Sequence, residues 1–161
     1  MSKIRELLKD ENSVLAFDID GVLAVMEWGE YHHFELDDEE WNRICGKGEN
    51  GYTEDKVVKK MQSFLADRDM SRIYVITMVG QENEILFKKE FANKYYNIPK
   101  ENVYCVNDNY EKKNILTKIK EKYPELEDYQ LVMIDDTVKI LNDVKTHTGF
   151  STAHVSSFLD I

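Results

Sequence analysis

Asp18 and Asp20, one residue apart and followed by Gly21, stand at the end of the short apolar run Val14-Leu15-Ala16-Phe17. They are the first residues of the chain whose types and spacing could do chemistry. Two more acids, Asp135-Asp136, follow the apolar run Leu131 to Ile134, Thr77 follows Ile73 to Ile76, and Lys112-Lys113 open the approach to Leu131. In open parallel sheets, ligands bind beyond the carboxyl ends of the strands, so these residues would converge on one edge. Carboxylates gathered there repel one another, and a hard divalent cation such as Mg²⁺ relieves the repulsion. Mg²⁺ binds one or two carboxylates together with a substrate phosphate, while a threonine hydroxyl and a lysine ammonium suit phosphate oxygens. The implied chemistry is phosphoryl transfer.

The elements that must position these groups follow from periodicity. Apolar runs at Val14 to Phe17, Ile73 to Ile76, Val103 to Val106 and Leu131 to Ile134 suit strands buried on both faces, with a weaker fifth strand near Ala153 to Val155. Between them lie helical patterns. One opens at Thr53 and carries Val57, Met61, Phe64 and Leu65; a second runs from Glu82 to Tyr96 with Leu86, Phe87, Phe91 and Tyr95. Ile115, Leu116 and Ile119 form a third stripe, Val138, Leu141 and Val144 a fourth, and the first residues MSKIRELLKDEN an opening amphipathic helix. Strands alternating with helices predict an α/β fold: a doubly wound, Rossmann-like parallel sheet of five strands with helices on both faces. Residues 26 to 52 break the rhythm and read as an insertion after the first strand, with a possible helix at Asp37 to Cys45 and a loop at Gly46 to Gly51.

With 161 residues the chain has room for one compact domain. Apolar residues at 42% and charged residues at 32% exclude a disordered chain, and a net charge of −10 disfavours a nucleic-acid partner in the absence of a basic cluster. No apolar run reaches membrane-spanning length, and Cys45 and Cys105 lack metal-ligand or redox spacing. A cytoplasmic protein is expected.

The stretch Phe17-Asp18-Ile19-Asp20-Gly21-Val22-Leu23 resembles the first signature of the haloacid dehalogenase-like hydrolases. Val75-Ile76-Thr77 is similar to their second motif, Lys113-Asn114-Ile115-Leu116 to the third, and Leu131 to Asp136 to the fourth, in the right order. The segment Thr148 to Val155 is similar to the return to the family's last core strand, so the resemblance spans about residues 12 to 156. It implies a small or capless phosphatase in which Asp18 is the nucleophile and Asp20 the general acid/base. Mg²⁺ would be held by Asp18, the backbone carbonyl of Asp20 and one or both of Asp135 and Asp136, and the phosphate by Thr77 and Lys113. Lys112 is the alternative to Lys113. The family's further acid a turn later would fall near Ile140, where Asp143 is the nearest substitute. The implied substrate is a small phosphorylated metabolite or nucleotide.

Other readings compete. Asp18 and Asp20 could merely cap a turn, and Asp135-Asp136 could cap the next helix. A calcium loop starting at Asp18 fails, because its turn glycine falls too early and Gly29 stands where glutamate is wanted. A non-enzymatic phospho-receiver would place its phosphorylated acid after the third strand, at Asp108, with its acidic pair on the first. Trp28, Tyr31, His32, His33 and Phe34 could form a small lid or simply pack locally, and Asp37 to Glu40 suits a helix start.

Overall fold

The computed structural model describes residues 3–25, 39, 43, 45–159 and 161. Five parallel strands, β1 (Val14–Phe17), β2 (Ile73–Met78), β3 (Val103–Val106), β4 (Leu131–Asp135) and β5 (Ser151–His154), form one sheet in the order β3-β2-β1-β4-β5. The helices are α1 (Lys3–Lys9), α2 (Lys59–Leu65), α3 (Glu82–Tyr96), α4 (Lys112–Glu121) and α5 (Val138–Thr148). This is the predicted α/β architecture.

The strand periodicity of two sorts each apolar run between two cores. Leu15 and Phe17 of β1, with Val75, Val132 and Ile134, pack against Leu8 of α1, Met61 and Leu65 of α2, and Phe91, Ala92 and Tyr96 of α3. Val14 and Ala16, with Tyr74, Ile76 and Met133, pack against Leu116 and Ile119 of α4 and Leu141 and Val144 of α5. All four β1 residues are buried, which is why this strand reads as continuous apolar sequence and not as an alternation. Each large side chain buried in these layers is worth roughly 1.5–3 kcal/mol of apolar transfer. Phe17 also meets the ring of Phe158, which stands edge-on to Phe64 at 4.9 Å.

The central β1 lies between β2 and β4, so the chain leaves it toward one edge and later crosses to the other. That divergence opens a crevice at the carboxyl ends of β1 and β4.

The stretch predicted to be helical from Thr53 starts later than expected. Glu54–Lys56 is a single 3₁₀ turn, Val57 bridges antiparallel to Ala24, and α2 begins at Lys59. The reason is a miniature ladder: Val25 N–H donates to Lys56 C=O at 2.9 Å and Val58 N–H to Leu23 C=O at 3.2 Å. The Tyr96 phenol closes it, donating to Leu23 C=O at 2.5 Å and accepting from Val58 N–H at 3.0 Å. These contacts fasten together the chain on either side of residues 26–52. The proposed lid residues, and most of the Asp37 to Cys45 helix, lie outside the described residues. Among the described residues no helix is long and apolar enough to cross a membrane.

Candidate active site

The sheet places Asp18 just past β1, where its N–H extends the ladder to Ile134 C=O at 2.9 Å. Oδ1 accepts from the N–H of Ile19 at 2.7 Å, and Oδ2 accepts from Lys112 Nζ at 2.9 Å. The same ammonium donates to Asp135 Oδ2 at 2.8 Å, so Lys112 bridges the ends of β1 and β4. Asp135 Oδ1 accepts from the N–H of Thr137 at 2.8 Å. Asp135 therefore shapes the turn ahead of α5, but the N-cap of that helix is Thr137, so the two acids do not cap it. Asp136 completes the group: one oxygen each of Asp18, Asp135 and Asp136 lie within 4.8 Å of one another. From β5, His154 Nδ1 accepts from Ser156 N–H, which leaves Nε2 to donate to Asp136 C=O at 3.0 Å.

Charge and burial oppose each other here. Burial raises the pKa of Asp18, the charges of Asp135 and Asp20 push the same way, and Lys112 pulls it down without cancelling them. For Lys112, burial pulls the pKa down, but Asp18 and Asp135 outweigh it and the ammonium is held above its ordinary range. A lysine alone leaves the three acids electrostatically undercompensated. Hard oxygen donors clustered this way fit a divalent cation, so the residues present match the metal that the resemblance implies.

Gly21 makes the acidic cluster possible. Its φ of +77° lies in the left-handed region, and a Cβ there would stand 2.2 Å from Asp136 Oδ2. Gly21→Ala is therefore expected to cost about 1–2 kcal/mol in strain and to swing Asp136 out of the cluster. Titration of Mg²⁺ into the variant, followed by its thermal shift, should show weakened binding; native affinity would mean that Asp136 does not contribute.

The carboxylate of Asp20 points elsewhere. Oδ1 accepts from the Tyr52 hydroxyl at 2.8 Å and Oδ2 from Lys88 Nζ at 2.7 Å. Asp20 thus stays outside the carboxylate cluster, and the atom that the resemblance assigns to the metal is its backbone carbonyl. Lys88, from the middle of α3, also donates to Thr77 Oγ1 at 3.3 Å and to the carbonyl of Met78, and it pairs with Glu84 at 3.7 Å. Burial pulls the pKa of Lys88 down, yet Asp20, Asp18 and Glu84 together hold it up. Burial, then the charge of Asp20, raises the Tyr52 phenol well above its ordinary range. Thr77 is fully buried at the end of β2, and because its oxygen accepts from Lys88, its own hydrogen remains to be donated.

The expected Lys113 must be corrected to Lys112. Successive residues on a helix point about 100° apart, so only one of the two lysines can face the sheet edge. Lys112 does; Lys113 turns to Asp143, at 2.9 and 3.2 Å to its two oxygens. Asp143 is further engaged by His147 at 3.1 Å, so the suggested substitute acid belongs to a lateral ion pair and not to the cluster. Asp108, the acid a receiver would phosphorylate, accepts from the N–H of Tyr110 at 2.8 Å and caps a turn, while the nearby lysine reaches Asp18 instead. Lys88 and Tyr52 have no counterpart among the sequence expectations.

No protein-family model matches the chain, and no curated protein matches it. Among solved structures, DsGPDH of Dunaliella salina superposes with a TM-score of 0.58 at 15% identity over 94% of this chain. This chain spans 25% of that protein's length. The HAD domain of the effector protein Lem4 from Legionella pneumophila aligns with a TM-score of 0.46 at 16% identity, covering 88% of this chain and 85% of that one. An inactive mutant of the same domain aligns at 0.47 and 15% identity, over 88% and 84%. Likenesses at such identity speak to the fold.

Proposed function

We propose, from the premise that this chain has a haloacid dehalogenase-like fold, that it is a Mg²⁺-dependent phosphomonoesterase working through an aspartyl phosphate. The observation that carries this is Lys112 bridging Asp18 and Asp135 beside Asp136, at the carboxyl ends of the two central strands. Asp18 is the nucleophile: one of its carboxylate oxygens forms a bond to phosphorus as the bond to the leaving oxygen breaks. Asp20 passes a proton to that oxygen, and in the second half it takes one from the water that displaces Asp18 from phosphorus. Lys112 and the Thr77 hydroxyl neutralise charge on the equatorial phosphoryl oxygens. Asp18, Asp135, Asp136 and the backbone carbonyl of Asp20 would hold Mg²⁺. Bound there, Mg²⁺ supplies charge neutralisation for the transferring phosphoryl group and lets the clustered acids remain ionised.

The substrate class is a small phosphorylated metabolite or nucleotide, in keeping with a net charge of −10 that repels a nucleic-acid backbone. A reducing, cytoplasmic setting agrees with two free cysteines. Burial pushes the Cys45 thiol up to about 11, which makes it a packing residue and not a reactive one.

The test is release of phosphate from a panel of phosphomonoesters in Mg²⁺ and in EDTA. Activity should vanish in chelator and return when Mg²⁺ is restored. Turnover undiminished in EDTA would contradict the metal assignment, and silence across the panel with Mg²⁺ bound would contradict the substrate class.

A further inference from the structure

We infer that Lys88 and Tyr52 are positioning residues for Asp20, holding both of its carboxylate oxygens in the orientation from which it exchanges protons with the leaving oxygen and the attacking water. The inference rests on the phosphatase reading and adds to it a device built from residues outside the four motifs. Three observations carry it. First, the clamp is complete: Tyr52 donates to Oδ1 at 2.8 Å and Lys88 to Oδ2 at 2.7 Å, from two different segments of the chain. Second, Lys88 has no hydrogen left for a substrate. Its three donors go to Asp20, Thr77 and the Met78 carbonyl, Glu84 stands alongside, and its side chain is only 2% exposed. Third, each clamp member is itself held. The Tyr52 ring packs against Phe91 at 5.7 Å with the Lys88 ammonium 5.6 Å from its centroid, and Glu84 accepts from the N–H of Gly80 at 3.2 Å.

The site therefore keeps two lysines in separate tasks. Lys112 serves the nucleophile and the phosphoryl group; Lys88 holds the acid/base Asp20 and, beside it, the hydroxyl of Thr77. A side chain with two rotatable bonds would otherwise sample orientations in which its carboxylate cannot reach the leaving oxygen or the water, and fixing it in advance removes that cost from the reaction. Asp20 itself is about a quarter exposed, with its side chain at 26%, whereas the Lys88 that holds it is buried.

The chemistry separates this role from a merely structural one. In the first half, the Asp18–phosphorus bond forms, the phosphorus–leaving-oxygen bond breaks, and the proton of Asp20 goes to the leaving oxygen. In the second, water bonds to phosphorus, the phosphorus–Asp18 bond breaks, and a water proton returns to Asp20. Nitrophenolate leaves without needing the proton, whereas an alkoxide does not.

The experiment compares the native protein, Tyr52→Phe and Lys88→Met on p-nitrophenyl phosphate and ethyl phosphate, by steady-state and rapid-quench kinetics. For Tyr52→Phe on ethyl phosphate, kcat should fall about tenfold or more, with KM within about twofold of native. On p-nitrophenyl phosphate the same variant should give a full stoichiometric burst of nitrophenolate, then a slow steady state, because phosphorylation of Asp18 survives while activation of water does not. A proportional loss of burst and steady state would mark a structural role and overturn the inference, as would native kinetics on ethyl phosphate. Lys88→Met should behave likewise; if it does not fold, Tyr52→Phe still decides, since phenylalanine keeps the packing on Phe91. A native protein without Asp18-dependent activity would instead defeat the phosphatase reading itself.

Discussion

Asp18→Asn should abolish turnover, by on the order of 10⁴-fold or more if single nucleophile deletions elsewhere are a guide, while leaving a protein that folds at least as well as the native one. The change exchanges one carboxylate oxygen for an amide nitrogen, and the remaining oxygen can still accept from Lys112. The stability half of the expectation follows from the raised pKa of Asp18, whose first cause is burial. A carboxyl group with a folded pKa above its ordinary 3.8 binds its proton more tightly in the native state than in the unfolded one. Stability then falls as pH rises from 3.8 through the raised folded value, because ionising Asp18 is costlier inside the protein than outside it. Asparagine carries no such burden. In chelator the melting temperatures of the two proteins should coincide at acid pH and separate in favour of the variant toward neutrality; added Mg²⁺ should raise the native protein more. Thermal melts across this range, beside a phosphate-release assay, check both halves. Full turnover in the variant would remove Asp18 from the nucleophile's place, and a lower neutral melting temperature in chelator would mean that the Lys112 contact outweighs burial.

Lys112→Met is the second large effect. Removing one partner of a buried ion pair leaves the other charges uncompensated, at a cost of about 3–5 kcal/mol. Here Asp18 and Asp135 would face each other at a site where each now accepts a hydrogen bond from one ammonium. The raised pKa of Lys112 gives the same sign: its stabilisation is fully present below its ordinary 10.5 and is lost as pH climbs through the higher folded value. The variant's deficit should therefore be marked at neutral pH and shrink in acid, where the acids it leaves behind become protonated. Mg²⁺ should restore part of the stability, because a cation among the same carboxylates replaces the missing charge. Activity should not return with it, since a donor to the phosphoryl oxygens is worth on the order of 10²–10³-fold in rate. Lys113→Met is the control: its partly exposed pair with Asp143 is worth at most about 1 kcal/mol. Denaturant melts with and without Mg²⁺, alongside kcat, distinguish the two lysines. Equal losses in both variants would show that Lys112 has no special place.

The parts of the fold that could be read from sequence are those where one physical signal decides. The run Val14 to Phe17 and the run Val103 to Val106 became strands with those limits, and Glu82 to Tyr96 a helix with those limits. In each case burial or amphipathic spacing acts without competition from distant parts of the chain. Thr53 to Leu65 was different: its spacing suits a helix, but Val57 is taken by Ala24 across the insertion, a partner that local periodicity cannot reveal. The choice between Lys112 and Lys113 turned on a rotation of one residue, which the apolar stripe at Ile115, Leu116 and Ile119 does not fix tightly enough. Lys88 and Tyr52 were invisible for another reason. Their partner Asp20 lies 68 and 32 residues away in sequence, and a lysine or tyrosine in an amphipathic stretch is most simply a surface or core residue. Only Glu84, four residues before Lys88 on the same helix, hinted that this lysine had company.

The ladder between Leu23, Val25, Lys56 and Val58, pinned by the Tyr96 hydroxyl, also bears on how such a protein diversifies. A segment whose two ends are already stitched side by side can be lengthened, shortened or exchanged without loosening the layers beneath, because lengthening an already closed loop adds entropy cost only logarithmically. The neck thus behaves as a socket: evolution, or an engineer, can plug in new sequence between Val25 and Tyr52 while Tyr52 itself and the catalytic acids keep their places.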